Sequence, residues 1–124
     1  MLAPAGKLCK YFDGSAMDIQ VETNGDRRIV RIKDKITFEH CPLLQSRLDQ
    51  LLEEGARHVV IDFREVPFMD SSGVGEILRL FKLVRDRQGD VVLINPNQKL
   101  LNLFRMYRFE KFMKIMDSAE GGQE

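Results

Sequence analysis

Asp70, Ser71 and Ser72 place one carboxylate and two hydroxyls side by side, immediately before Gly73. The chemistry open to such a trio is narrow. A serine can attack a carbonyl if a base takes its proton, it can accept a phosphoryl group from another enzyme, or it can do no chemistry and cap a helix. Attack on a carbonyl needs a base and an oxyanion hole, commonly at a Gly-x-Ser-x-Gly elbow. Position 69 is Met, and neither His40 nor His58 follows Ser71, so the hydrolase reading fails. Phosphoacceptor and helix cap both remain open for Ser71. Asp70 has three readings: cap, metal ligand, or an acid that positions the serine hydroxyl or its phosphate. Ser72 reads as a helix-start hydroxyl.

The surrounding residues add few further chemical candidates. Gly73 and Gly75 have no side chain to crowd a partner approaching the helix start, and Gly75 costs about 1 kcal/mol of helix propensity relative to Ala. Glu76, Arg79, Lys82 and Arg85 lie off the apolar stripe of the same helix, as a solvated face whose nearer part suits docking. Cys9, Cys41, His40 and His58 have no metal-ligand spacing, and both histidines read as structural. Catalytic, metal and cofactor residues are therefore expected to be none. Asp62 is expected to order the loop after its strand.

The elements that position Ser71 follow from hydrophobic period. Val59-Val60-Ile61 is a β-branched run of the kind buried on both faces, which predicts a central strand over Arg57 to Phe63. Val74, Ile77, Leu78, Phe81 and Val84 then line one face of a helix over Ser71 to Gln88. Asp18 to Glu22 and Arg28 to Lys33 alternate about an Asn24-Gly25 turn signal, which predicts an opening hairpin. Leucines 44, 48, 51 and 52 mark a first helix over Cys41 to Glu54, with Pro42 near its start and Gly55 after its end. An apolar strand is expected over Asp90 to Ile94. A short helix should run from Asn95-Pro96 to about Met106, with Leu100, Leu103 and Phe104 inward, and a last strand over Phe112 to Met116. Strand, helix, strand in order implies parallel pairing. Residues 1–16 lack periodicity and read as a loose arm, and the acidic 117–124 as a mobile tail.

A chain of 124 residues with 44% hydrophobic content suits one core. Lys plus Arg and Asp plus Glu each total 19, leaving no bulk field to hold a nucleic acid or an anionic membrane. No stretch approaches the roughly 18 apolar residues of a membrane span, and one cysteine pair is no secreted framework, so a cytoplasmic protein is expected.

Phe68-Met69-Asp70-Ser71-Ser72-Gly73-Val74-Gly75, placed after Ile61-Asp62, resembles the signature of the STAS domain, specifically that of bacterial anti-sigma factor antagonists. The resemblance runs from about Met17 to Met116. It implies an α/β fold: one STAS-type domain over 17–116, with a central mixed sheet of antiparallel opening hairpin and parallel inner strands, packed with helices. It also implies that Ser71 is the phosphoacceptor and that Asp70, Ser71, Ser72, Gly73, Gly75, Glu76 and Arg79 meet the partner. That partner would be an anti-sigma factor with serine kinase activity, bound when Ser71 is free and released on phosphorylation, with a metal-dependent serine phosphatase as the reverse arm. Nucleic acid, direct membrane insertion and cofactors are not expected, and the chain reads as a monomer. The alternative is a non-phosphorylated STAS scaffold in a larger signalling or transport assembly. The family commonly has Gly and Asp where this chain has Asp34 and Thr37, and often Gly where it reads Met106-Tyr107-Arg108-Phe109. A receiver domain, with Asp70 as acceptor, fits less well, since no acidic pair follows either strand of the hairpin.

Overall fold

Alternation builds the hairpin: β1 (Ile19–Asn24) pairs antiparallel with β2 (Arg27–Ile32), from Ile19 opposite Ile32 to Asn24 opposite Arg27. The two turn residues are Gly25 and Asp26 rather than Asn24 and Gly25, because Asn24 is still paired. The computed structural model describes residues 18–116, so the expected arm over 1–16, Met17 and the expected tail over 117–124 lie outside the described residues.

A short 3-10 turn (Phe38–His40) leads into α1 (Cys41–Glu53), with Pro42 in its first turn and Gly55 just past its C-cap. Then come β3 (His58–Asp62), α2 (Ser71–Asp86), β4 (Asp90–Ile94), α3 (Gln98–Met106), a second 3-10 turn (Phe109–Lys111) and β5 (Lys114–Met116). The five-stranded sheet has the order β1-β2-β3-β4-β5, antiparallel only at β1-β2. Right-handed crossovers that step one strand at a time in one direction bring all three helices onto one face. Val30, Ile32, Val59, Ile61, Val91 and Leu93 meet Leu48, Ile77, Leu80 and Phe104 in the core there. Val60, of opposite strand parity, is 8% exposed yet outside that core.

Two boundaries differ from the expectation, each for a tertiary reason. The third helix starts at Gln98, not at Asn95-Pro96: the Asn97 side chain accepts the Leu100 N–H at 2.9 Å, while the Asn95 N–H still serves the sheet by donating to the Met116 carbonyl at 2.8 Å. The last strand begins at Lys114, not Phe112, because the preceding residues turn inward to bury Phe109. Its ring stacks on Phe104 at 5.1 Å, and Phe104 packs on Phe63 at 5.3 Å. Arg108 makes that turn at φ 61, the left-handed conformation glycine favours, so this chain accepts backbone strain there.

Gly89 is demanded by close approach. A Cβ there would lie 1.8 Å from the Arg57 carbonyl oxygen, the same oxygen that accepts the Asp90 N–H at 2.9 Å to start β4. Gly89→Ala should therefore cost about 1–3 kcal/mol, as overpacking does. Each kcal/mol corresponds to roughly 4–8 °C of melting temperature in a domain of this size. Thermal unfolding followed by circular dichroism reads this directly, and an unchanged melting temperature would contradict the packing described.

Candidate functional site

The loop after β3 pairs with the loop after β2, beyond the ends of those two strands, before α2 begins. Ile36 and Met69 form an isolated parallel bridge, the Ile36 N–H donates to the Phe68 carbonyl at 2.9 Å, and the Asp70 N–H donates to the Ile36 carbonyl at 3.1 Å. Asp70 is thereby fixed before its side chain acts. Its backbone is extended, and it, not Ser71, is the N-cap of α2. Oδ1 accepts the Ser72 N–H at 2.9 Å and the Gly73 N–H at 3.4 Å, while Oδ2 accepts the Phe38 N–H at 3.0 Å. Free N–H groups and the helix dipole at this end both favour the negative charge.

With the cap occupied by Asp70, Ser71 is the first residue of α2 and is exposed, and Ser72 is half-buried. Gly73 departs from its expected role: it is buried, and a Cβ there would stand 2.6 Å from Met69 Cγ and 2.8 Å from Ile36 Cγ2. Its small size serves interior packing, so it does not open a path for a partner. Gly75 is exposed, and nothing lies within 4 Å of the position its Cβ would take.

Glu76 and Arg79 are near the site but engaged. Arg79 donates to Asp49 of α1 at 2.9 Å and to Glu76 at 3.2 Å, tying the two helices together. Lys82 and Arg85 fall about 16 and 21 Å along the helix from Ser71, at 1.5 Å per residue. Arg85 covers the Phe81 ring at 5.2 Å.

Cys41, at the start of α1, looks toward the same region. Burial, then the charges of Glu76 and Asp70, push its thiol above the ordinary range, so it stays protonated and a poor nucleophile. His40 is buried, with Nδ1 3.2 Å from Thr37 Oγ1 and Nε2 3.9 Å from Asp34 Oδ2. Thr37 and Asp34 thus flank His40 on its two ring nitrogens within this loop. His58 pairs with Asp90 at 2.8 Å at the opposite end of the sheet. Asp62 Oδ1 accepts the Arg64 N–H at 2.9 Å and the Asn95 side-chain N–H at 2.8 Å, ordering the loop as expected.

Sequence reasoning missed Phe38 and read Phe68 only as part of the signature, with no role of its own. Phe38 and Phe68 are 74% and 46% exposed, and both belong to the segments laced to Asp70. Phe38 sits in no periodic stretch and its contact with Asp70 spans 32 positions, so no local signal marks it, whereas Phe68 opens the signature itself. Among the described residues no group of three or more His, Cys, Asp or Glu side chains is placed to hold a metal, and no helix is long and apolar enough to cross a membrane.

A comparison with family models matches residues 18–121 to the STAS domain. The anti-sigma-B factor antagonist of Bacillus subtilis is 30% identical over 106 residues, covering 86% of this chain and 96% of that protein. The anti-sigma F factor antagonist of Paenibacillus polymyxa is 28% identical over 105 residues, covering 82% and 90%. Among solved structures, the unphosphorylated anti-sigma factor antagonist SpoIIAA superposes with a TM-score of 0.70 at 21% identity, covering 85% of this chain and 93% of that one.

The Asp70 clasp can be tested without any partner. Asp70→Ala removes the cap and leaves the exposed Phe38 N–H to water, and should cost about 0.5–2 kcal/mol. Asp70→Asn keeps a capping oxygen and should cost less. Hydrogen exchange should accelerate at Phe38 and Ser72 in Asp70→Ala; exchange unchanged at both would remove Asp70 from the role described.

Proposed function

Because the chain belongs to the STAS domain family, we propose that it acts as an anti-sigma factor antagonist whose binding state is set at Ser71. The observation that carries this reading is the division of labour at the start of α2. Asp70 satisfies the helix, which leaves the Ser71 hydroxyl exposed and free for a kinase. The names of the curated relatives supply the class of partner.

In this reading the unmodified chain binds, in the cytoplasm, an anti-sigma factor that is also a serine kinase, and so frees the held sigma factor. Ser71 Oγ then attacks the γ-phosphorus of ATP held by that kinase. An O–P bond forms, the bond to the β–γ bridging oxygen breaks, ADP leaves, and the hydroxyl proton passes to a base of the kinase. A metal-dependent serine phosphatase transfers the phosphoryl group to water and restores the hydroxyl. The chain is the substrate of both steps. Asp70, Ser71, Ser72 and Gly75 form the centre of the binding face, with Glu76 and Arg79 at its margin and Gly73 supporting it from within.

Phosphoserine adds about −1.5 to −2 charge. Buried in an interface without a matching partner, such a charge costs about 2–5 kcal/mol, or roughly 30-fold to several-thousand-fold in affinity. Ser71→Asp should therefore weaken the complex strongly. Incubated with ATP and the kinase that binds it, the wild type and Ser72→Ala should gain one phosphate by mass spectrometry, and Ser71→Ala none. Undiminished label in Ser71→Ala would refute the assignment. Tight binding by both Ser71→Asp and the phosphoprotein would instead favour a constitutive scaffold.

A further inference from the structure

Phe38 is the most exposed of the large apolar side chains among the described residues, at 74%, and its backbone is held firmly. Its N–H donates to Asp70 Oδ2 at 3.0 Å, its carbonyl accepts the Cys41 N–H, and it opens the 3-10 turn in which the His40 N–H donates to the Thr37 carbonyl at 2.9 Å. A scattered exposed apolar residue needs no explanation. This one is different because the carboxylate that fixes its backbone also caps the helix on which Ser71 stands. Phe68, 46% exposed, flanks the same point through the Ile36 N–H bond to its carbonyl. The hydroxyl and the Phe38 backbone are therefore held in one frame. A rigid aromatic side chain loses little conformational freedom on binding, which is the property of interface anchors.

We propose that Phe38 is an apolar anchor of the interface formed at Ser71, and that the anti-sigma serine kinase presents an apolar pocket beside the place where it receives the Ser71 hydroxyl. This rests on the reading of Ser71 as the switch. The anchor supplies affinity and partner choice, while the phosphate supplies regulation. Phe38 takes no part in phosphoryl transfer, so its loss weakens substrate and transition state alike, which raises KM and leaves kcat unchanged. Met106, Tyr107 and Phe112 are also exposed, but Phe112 packs on Phe81 at 5.7 Å, ten residues down α2 from Ser71. Phe112 therefore lies outside this surface.

The test uses the full chain and, as probe, whichever purified anti-sigma serine kinase of the source genome labels Ser71 with ATP. Full burial of a Phe side chain corresponds to a change of about 10- to 100-fold. Phe38→Ala should raise Kd and KM by about that factor with kcat unchanged, and Phe38→Leu should recover most of the loss. Its melting temperature should stay close to that of the wild type, because so exposed a ring contributes little to the fold. Affinity of Phe38→Ala within twofold of wild type, while Ser71→Asp is strongly weakened, overturns the anchor and leaves the switch standing. A large fall in melting temperature would show Phe38 to be structural and also overturn it. If no kinase labels Ser71, the switch itself fails and the anchor with it.

Discussion

One carboxylate holds the end of the molecule on which the functional reading depends. Asp70 reaches in two directions, to the first turn of α2 and to the Phe38 N–H, and these bonds join a helix start to a loop 32 residues earlier in the chain. An N-cap that satisfied only its own helix would leave the 36–38 segment tied to the loop after β3 by the two backbone hydrogen bonds of Ile36 alone. With the clasp closed, the two segments form a single small surface, and the hydroxyl beside it has no capping duty. The interior behind this surface allows little slack. Gly73 packs against Met69 and Ile36 so closely that even a methyl group would force one of them to move.

The same arrangement limits what a phosphate at Ser71 can do to the fold. A phosphate at a helix N-terminus gains from the dipole and from free N–H groups, by about 0.3–2 kcal/mol. Here the Ser72 and Gly73 N–H groups already serve Asp70, and the two negative charges repel. Gain and loss are of similar size, and both are small beside a typical domain stability of about 5–15 kcal/mol. Local electrostatics gives the modified chain no reason to refold. At an interface the desolvation cost has no such offset, so an effect on binding without an effect on the fold is the physical expectation.

Much of this was legible in the residues. The β-branched run at Val59-Val60-Ile61 and the helical period from Val74 to Val84 located the strand and helix that flank the site, and α2 begins at Ser71 as the spacing predicts. What stayed hidden depends on contacts distant in sequence. Asn95-Pro96 reads as the helix start on paper, and the bond from Asn95 to Met116 of β5, with the Asn97 cap on Leu100, moves that start to Gln98. Gly73 could open a path for a partner or fit a tight interior, and the distinction rests on Ile36, far away in the chain. Arg79 looked like a free docking charge because its partner Asp49 belongs to another helix. The exposure of Phe38 follows from a turn with no periodic signal, fixed by a carboxylate far along the chain.

The central claim is that the Ser71 surface is a local switch on an unchanged fold. The most direct measurement compares two-dimensional amide NMR spectra of the full chain before and after enzymatic phosphorylation, with binding to the kinase measured on the same samples. The account predicts shifts concentrated at residues 36–38 and 70–75, sheet and core amides unmoved, and affinity lowered at least 30-fold. Shifts spread through β2, β3 and β4, or unchanged affinity once Ser71 is fully phosphorylated, would contradict it.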